Sequence, residues 1–335
     1  MSESKLLKLN VILPTYNRAV LLRRTLESLA NAEIAQTLDV LATVVDNNSS
    51  DETRETIEEF VKKQGKVRFE YLSEARQGKS IALNAAVKKS VADLIATIDD
   101  DEEVAADWFV EIANLFGSRW NEIDFAGGKV LPRWESPPPV WVTKDWAGIS
   151  WRDYGETEWF YNEKTPILSG GHSILKRELF EELGFYNEAV GPTGKNLIGC
   201  EDDVFFDKLI SGGKRGIYSP RLVIYHFVPD YRLTRTYLRQ WCFGNGASQN
   251  LVDLYHKPFD GTRLFGVPRF MYREALASLR KTFAANLRGR RETAFAEERD
   301  FWIFWGYFYA RNIQNSRLES PFKFVGERIF APANR

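Results

Sequence analysis

The chain has 335 residues and a formal net charge of −1, from 45 Lys and Arg against 46 Asp and Glu. That length can bury a large core as one large domain or two smaller ones, and the balanced charge excludes a global field that would gather nucleic acid or a membrane surface. Two cysteines, Cys200 and Cys242, match neither a metal spacing nor a disulfide framework, and ten tryptophans make the chain rich in aromatics.

The N-terminal MSESKLLKLN has no long apolar core of a signal peptide, and no stretch has the run of apolar residues needed to span a bilayer. A soluble cytoplasmic protein in a reducing compartment is the expectation. The first hundred residues then alternate. LNVILP reads as a buried strand ending at Pro14, and Leu21, Leu22, Leu26 and Leu29 follow at helical spacing. LDVLATVVD is a second strand, and NNSSDET is a turn that caps a helix running to about Gln64. KVRFEYL, SIALNAAVKKSV and DLIATID continue as strand, helix and strand. This order predicts a parallel sheet with helices on both faces, in which ligands bind outside the carboxyl ends of the strands. The unusual polar clusters PTYNR, DNNSSD, EARQGKS and DDDEE all fall at those ends.

The cluster Asp99–Glu103 packs five carboxylates where the fourth strand stops. Unpartnered, such groups repel and raise one another's pKa, so a positive partner is expected. Further on, PRWESPPPVWVTKDW reads as a long irregular loop. Strand, turn and helix return in TPILSGGHSILKRELFEELGFYNE, an acidic pair opens a helix in GCEDDVFFDKL, and RLVIYHFVPD is a strand carrying His226. From Arg232 the pattern is mostly helical. The expected division is a catalytic domain over 1–230, with a nucleotide-sugar half at about 8–130 and an acceptor half at about 131–230, and a C-terminal helical region over 231–335 that packs on it.

VILPTYNR, VVDNNSSDET, RQGKSIALN, IDDDEE, SGGHSILKRELFEELGFYNE and EDDVFFDKL, in this order over roughly residues 8–250, resemble the family 2 glycosyltransferases. The resemblance implies the GT-A fold, a Rossmann-like mixed α/β sheet flanked by helices. It also implies an inverting, metal-dependent enzyme that moves one sugar from a nucleotide-diphosphate sugar, most commonly a UDP-sugar, to a saccharide or lipid-linked saccharide in surface-polysaccharide synthesis. By the same resemblance Asp101 ligates Mn²⁺ or Mg²⁺, the cation that the acidic cluster calls for, while Asp99 and Asp100 face ribose and sugar. Glu102 and Glu103 are read as the first turn of a helix. Pro14, Thr15, Tyr16 and Arg18 line the nucleoside pocket, and either Asp46 or Asn47 reads the base. Asn48, Ser49 and Ser50 are turn residues and Asp51 a helix cap. Lys79, and Arg76 unless it is a solvated loop charge, are the cations near the diphosphate.

Asp202 matches the family's catalytic base and Glu201 its companion, with Asp203 leaving a one-residue ambiguity. Gly170, Gly171 and His172 fall where the sugar or acceptor binds, although a structural histidine is the alternative for His172. His226 is either a further metal ligand or a core histidine, and His256 is read as surface. Gln240-Trp241 lacks the QxxRW spacing of processive relatives; Arg232, Arg235 and Arg239 are diphosphate contacts or a solvated helical face. Two other classes remain: a nucleotidyltransferase, disfavoured because PTYNRAV is no phosphate loop, and a non-catalytic sugar-nucleotide or glycan-binding module. Residues 261–310 combine eight basic residues up to Arg291 with Leu276, Leu279, Phe283 and Leu287, then an aromatic run. Peripheral docking at the inner face of the membrane, packing on the catalytic domain and a homodimer contact all stay open for this region.

Overall fold

The computed structural model describes residues 6–63, 65–144, 146–192 and 199–314. The chain forms two compact units. One comprises Met1–Arg133, Ser150–Ala189 and Glu201–Phe227; the other comprises Trp134–Ile149, Val190–Cys200 and Val228–Arg335. The described residues of 134–149, read from sequence as acceptor half, thus cluster with the C-terminal helices. The C-terminal part of that region, 315–335, lies outside the described residues.

In the first unit, β1 (Leu7–Thr15) pairs in parallel with β2 (Leu38–Asp46) and β4 (Leu94–Ile98), and β2 pairs in parallel with β3 (Arg68–Ser73). The apolar runs are continuous because both faces are covered. Leu9, Val11 and Leu13 enter one hydrophobic cluster with α1 (Ala19–Asn31) and α2 (Thr53–Lys62), while Ile12, Val45 and Ile95 enter another with α3 (Lys79–Lys89). Register places Thr15 opposite Asp46 and Asp46 opposite Ser73, so the polar strand ends finish level.

After β4 come β5 (Glu102–Val104), α4 (Trp108–Arg119), β6 (Phe125–Trp134), β7 (Trp159–Phe160), β8 (His172–Lys176), α5 (Glu178–Leu183), α6 (Glu201–Ser211) and β9 (Gly216–Val228). The sheet order is β3-β2-β1-β4-β8-β6-β9-β5, with β7 on β9, and β8 runs antiparallel to β4. The order reverses between β1 and β4, so PTYNR and the acidic cluster flank the switch point, where the crevice of such sheets opens. The expected helix start at Glu102 and Glu103 is corrected here. These residues form β5, antiparallel to β9 with Glu102 opposite His226, and the helix begins only at Trp108.

In the second unit, Thr234 caps α7 (Arg235–Tyr255) by accepting the Tyr237 N–H at 3.2 Å. A short hairpin, β10 (Arg263–Leu264) and β11 (Val267–Pro268), leads into α8 (Arg269–Leu287), α9 (Arg291–Glu297) and α10 (Arg299–Tyr309). The aromatic run is α10. It packs on α7 so closely that a Cβ on Gly246 would lie 1.9 Å from the Ile303 carbonyl oxygen, and one on Gly306 1.9 Å from that of Phe243. Among the described residues no helix is long and apolar enough to cross a membrane.

Candidate active site

The end of β4 delivers carboxylates into a site that already holds two cations. Arg18, just past β1, places Nη1 2.9 Å from Asp100 Oδ1 and 3.0 Å from Asp101 Oδ2. The Thr15 hydroxyl donates to Asp100 Oδ2 at 2.8 Å. Lys79, the first residue of α3, sits 2.6 Å from Asp99 Oδ1 and 3.4 Å from Glu201 Oε1. It therefore bridges the acidic strand end to the start of α6. Burial alone would lower the Lys79 pKa, but Asp99 and Glu201 more than offset that and hold it well above its ordinary value.

The carboxylates outnumber these cations. Burial pushes the Asp100 carboxyl up, with Asp101 adding to the rise and Arg18 opposing it. Glu102 is pushed well above the usual range by burial and by Asp99. Its Oε2 accepts the Asp99 N–H at 2.8 Å, so it braces the acidic turn from beneath. Glu201 is raised to about 7, mainly by burial against the opposing charge of Lys79. Its Oε2 has no hydrogen-bond partner among the described residues.

Asp202 Oδ2 accepts the Gly170 N–H at 3.1 Å. The need for two glycines is specific. A Cβ on Gly170 would meet Asp202 Oδ2 at 3.0 Å, and one on Gly171 would meet Glu102 Oε1 at 2.6 Å and Asp99 Oδ2 at 2.8 Å. Their close approach is to the site's own carboxylates, not only to a sugar. The Thr97 hydroxyl donates to the Gly170 carbonyl at 2.7 Å and fixes this turn.

On the nucleotide side, Asn47 is spent on the backbone. Its amide donates to the Glu74 and Arg76 carbonyls at 3.0 and 2.6 Å, and its Oδ1 accepts the Gly78 N–H. Asp46 accepts the Ser49 N–H at 2.9 Å and the Tyr71 hydroxyl at 3.1 Å. Pro14 and Tyr16 are half-buried at the end of β1. Asp51 accepts the N–H groups of Ala19 and Thr53, and so caps α1 and α2 together. Arg76 is exposed and pairs with Glu74 and Glu188.

His172 does not reach the site surface. It is fully buried, and Trp108 Nε1 donates to its Nε2 at 3.0 Å. Burial lowers its pKa to about 3, so it is a neutral core histidine and not an acceptor contact. Arg239 pairs with Glu298 at 2.7 Å, and Arg235 and Arg239 both lie over the Phe295 ring. Glu102, read from sequence as part of a helix start, joins the site through its contact to the acidic turn. Asn84 exchanges two hydrogen bonds with the Tyr186 backbone, at 2.9 and 3.0 Å, and so ties α3 to the segment after α5. The acidic cluster marked Glu102 in the sequence, but not its place in β5, whose strand partner lies far along the chain.

A divalent cation fits a limited donor set. Asp101 Oδ2 and His226 Nε2 lie 3.7 Å apart and both side chains are buried. No group of three His, Cys, Asp or Glu side chains converges on a metal geometry among the described residues. A hard carboxylate oxygen beside an imidazole nitrogen suits Mn²⁺ better than Mg²⁺, which favours an all-oxygen shell.

Fold and site together define a GT-A-type transferase. The model of glycosyl transferase family 2 matches residues 10–184, and the chain belongs to that family. It is 24% identical over 256 residues to the glucosyl-dolichyl phosphate glucuronosyltransferase of Haloferax volcanii, covering 75% of this chain and 79% of that one. Among solved structures it is similar to S. aureus TarS 1–349 in complex with UDP, at 16% identity and a TM-score of 0.53, covering 88% of this chain and 91% of that one. It is also similar to the mannosyltransferase PcManGT of Pyrobaculum calidifontis in complex with GDP-Man and Mn²⁺, at 22% identity and a TM-score of 0.52, covering 86% and 73%. At those identities the two structures speak for the fold. The chain is thus a glycosyltransferase, and the nucleotidyltransferase reading is set aside.

Proposed function

We propose that the protein is an inverting, metal-dependent transferase that moves one sugar from a UDP-sugar to a saccharide or lipid-linked saccharide. The observation that carries this reading is the chain Asp99–Lys79–Glu201, which ties the acidic strand end to the helix that bears Asp202. Donor-side charge and a base on the acceptor side therefore belong to one site. The glucuronosyltransferase similar to this chain is named for a dolichyl-phosphate-linked sugar, which supports a lipid-linked acceptor.

Each residue then has a task. Asp46 reads the base, since Asn47 is occupied and a carboxylate retains acceptor capacity beyond two bonds. Thr15 and Arg18 hold Asp100, and Arg18 is placed to exchange from carboxylate onto a phosphate oxygen. Asp101 and His226 would hold the cation, which when bound supplies positive charge to the departing diphosphate. The Gly170 N–H orients Asp202. Asp202 takes the proton of the acceptor hydroxyl as that oxygen bonds to the anomeric carbon, and the bond to the diphosphate oxygen breaks. The partnerless Oε2 of Glu201 meets a second acceptor hydroxyl.

A thermal-shift screen of nucleoside diphosphates and their sugars with Mn²⁺ tests the donor. A shift with UDP and a UDP-sugar is expected, and a shift with GDP alone would replace the donor. NMR of the product should show inversion at the anomeric carbon; retention would remove Asp202 as base.

A further inference from the structure

The outward face of α8 is apolar where a water-facing helix would be polar. Leu276, Leu279, Phe283 and Leu287 recur at three- and four-residue steps and are 49, 44, 65 and 73% exposed. The opposite face, with Met271, Ala275, Ser278 and Ala285, is buried within its own unit. The stripe continues beyond the N-terminal end of the helix. Tyr272 donates its hydroxyl to the Leu264 carbonyl at 2.9 Å, which seats the β10–β11 hairpin beside it. At the hairpin tip Phe265 is 72% exposed at φ 47°, a conformation that bulky residues rarely adopt. Strain held by an exposed aromatic points to a use for that side chain.

One flank of the stripe is cationic. Arg273 and Arg280 lie roughly 40–80° round the helix from Leu276 and Phe283. Arg288, Arg290 and Arg291 follow at its end, all exposed, and Glu274 is the single acid between 261 and 291. An anionic leaflet complements this cationic flank along its whole length.

We propose that α8 and the β10–β11 hairpin dock on an anionic phospholipid leaflet. The leucines and phenylalanines enter the boundary between headgroups and acyl chains, and the arginines reach the lipid phosphates. The proposal stands apart from the transfer reading, because none of these residues belongs to the candidate active site.

Sedimentation of the full chain with phosphatidylglycerol–phosphatidylcholine vesicles, against phosphatidylcholine alone, tests it. Binding to the anionic vesicles is expected, at least about tenfold weaker on neutral ones and at about 0.5 M salt. Leu276→Ser with Phe283→Ser, and separately Arg273→Glu with Arg280→Glu, should each weaken it by at least about tenfold at unchanged Tm. No binding at low salt, or binding indifferent to both pairs, overturns the proposal. So does a dimer in light scattering that Phe283→Ser dissolves, which would give the face to a second copy of the chain.

Discussion

Asp253 has a guanidinium to itself, whereas Asp99, Asp100, Asp101, Glu102 and Glu201 share Arg18 and Lys79. In the C-terminal unit Arg263 meets Asp253 through two bonds of 2.6 and 2.7 Å, the Tyr307 hydroxyl donates to the same carboxylate, and the Phe259 N–H adds a further bond at 2.6 Å. Burial would raise the Asp253 pKa, but the Arg263 and Tyr307 hydrogen bonds hold it down to about 2. Around the ends of β1 and β4 the shifts run the other way, and Asp100, Glu102 and Glu201 are all raised, chiefly by burial. One cluster is neutral and satisfied and holds α7 to the hairpin. The other holds more carboxyl groups than cations, and burial pushes several of them toward the protonated form.

The contrast breaks first, and most severely, at Asp202. Asp202→Asn should lower turnover by about 10³-fold, because an amide accepts no proton, while UDP binding and Tm stay near wild type. Near-normal turnover would move the base to Asp203. At Asp253 the effects should be exchanged. Asp253→Asn should cost roughly 2–4 kcal/mol in denaturant unfolding, by leaving Arg263 without its buried partner, with initial rates of transfer unchanged. A fall in rate at full stability would show that the second cluster is functional after all.

A pH titration sharpens the comparison on a smaller scale. The Asp253 carboxylate has a lower pKa folded than unfolded, so its stabilisation is present above about pH 4 and is lost as pH falls toward 2, about 2 kcal/mol in all. Glu201 has the opposite sign. Folded, it keeps its proton up to about pH 7, while the unfolded chain releases it near 4.5, so stability declines as pH rises between those values. Tm measured against pH should show both slopes, and Glu201→Gln should flatten the second. The smallest effect belongs to Glu102→Gln. Glutamine keeps an acceptor for the Asp99 N–H and removes only a charge that burial and Asp99 already disfavour, so stability should change by less than about 1 kcal/mol. A loss above about 2 kcal/mol would mean that Glu102 is ionised in place.

What the sequence made legible follows from locality. β1 to β4 were readable because parallel strands covered on both faces are short apolar runs closed by turn residues, and the site's carboxylates stand where those runs stop. Glu102 and Glu103 misled because two acids after a strand suit a helix start, and the pairing that makes them β5 comes from β9, over a hundred residues away. His172 misled because Trp108, whose indole fixes it in the core, is likewise distant in sequence. The apolar spacing of α8 was visible, but only the fold separates the exposed Leu276 and Phe283 from the α10 aromatics packed on α7.

If the carboxylates at the end of β4 receive a divalent cation together with a nucleotide diphosphate, UDP binding should depend on that cation. Calorimetric titration of UDP into the full chain, in Mn²⁺ and in excess EDTA, tests it most directly. UDP should bind at least about tenfold tighter with Mn²⁺, and Asp101→Ala should abolish that gain while uridine binding stays unchanged. Equal UDP affinity in Mn²⁺ and in EDTA would contradict the account.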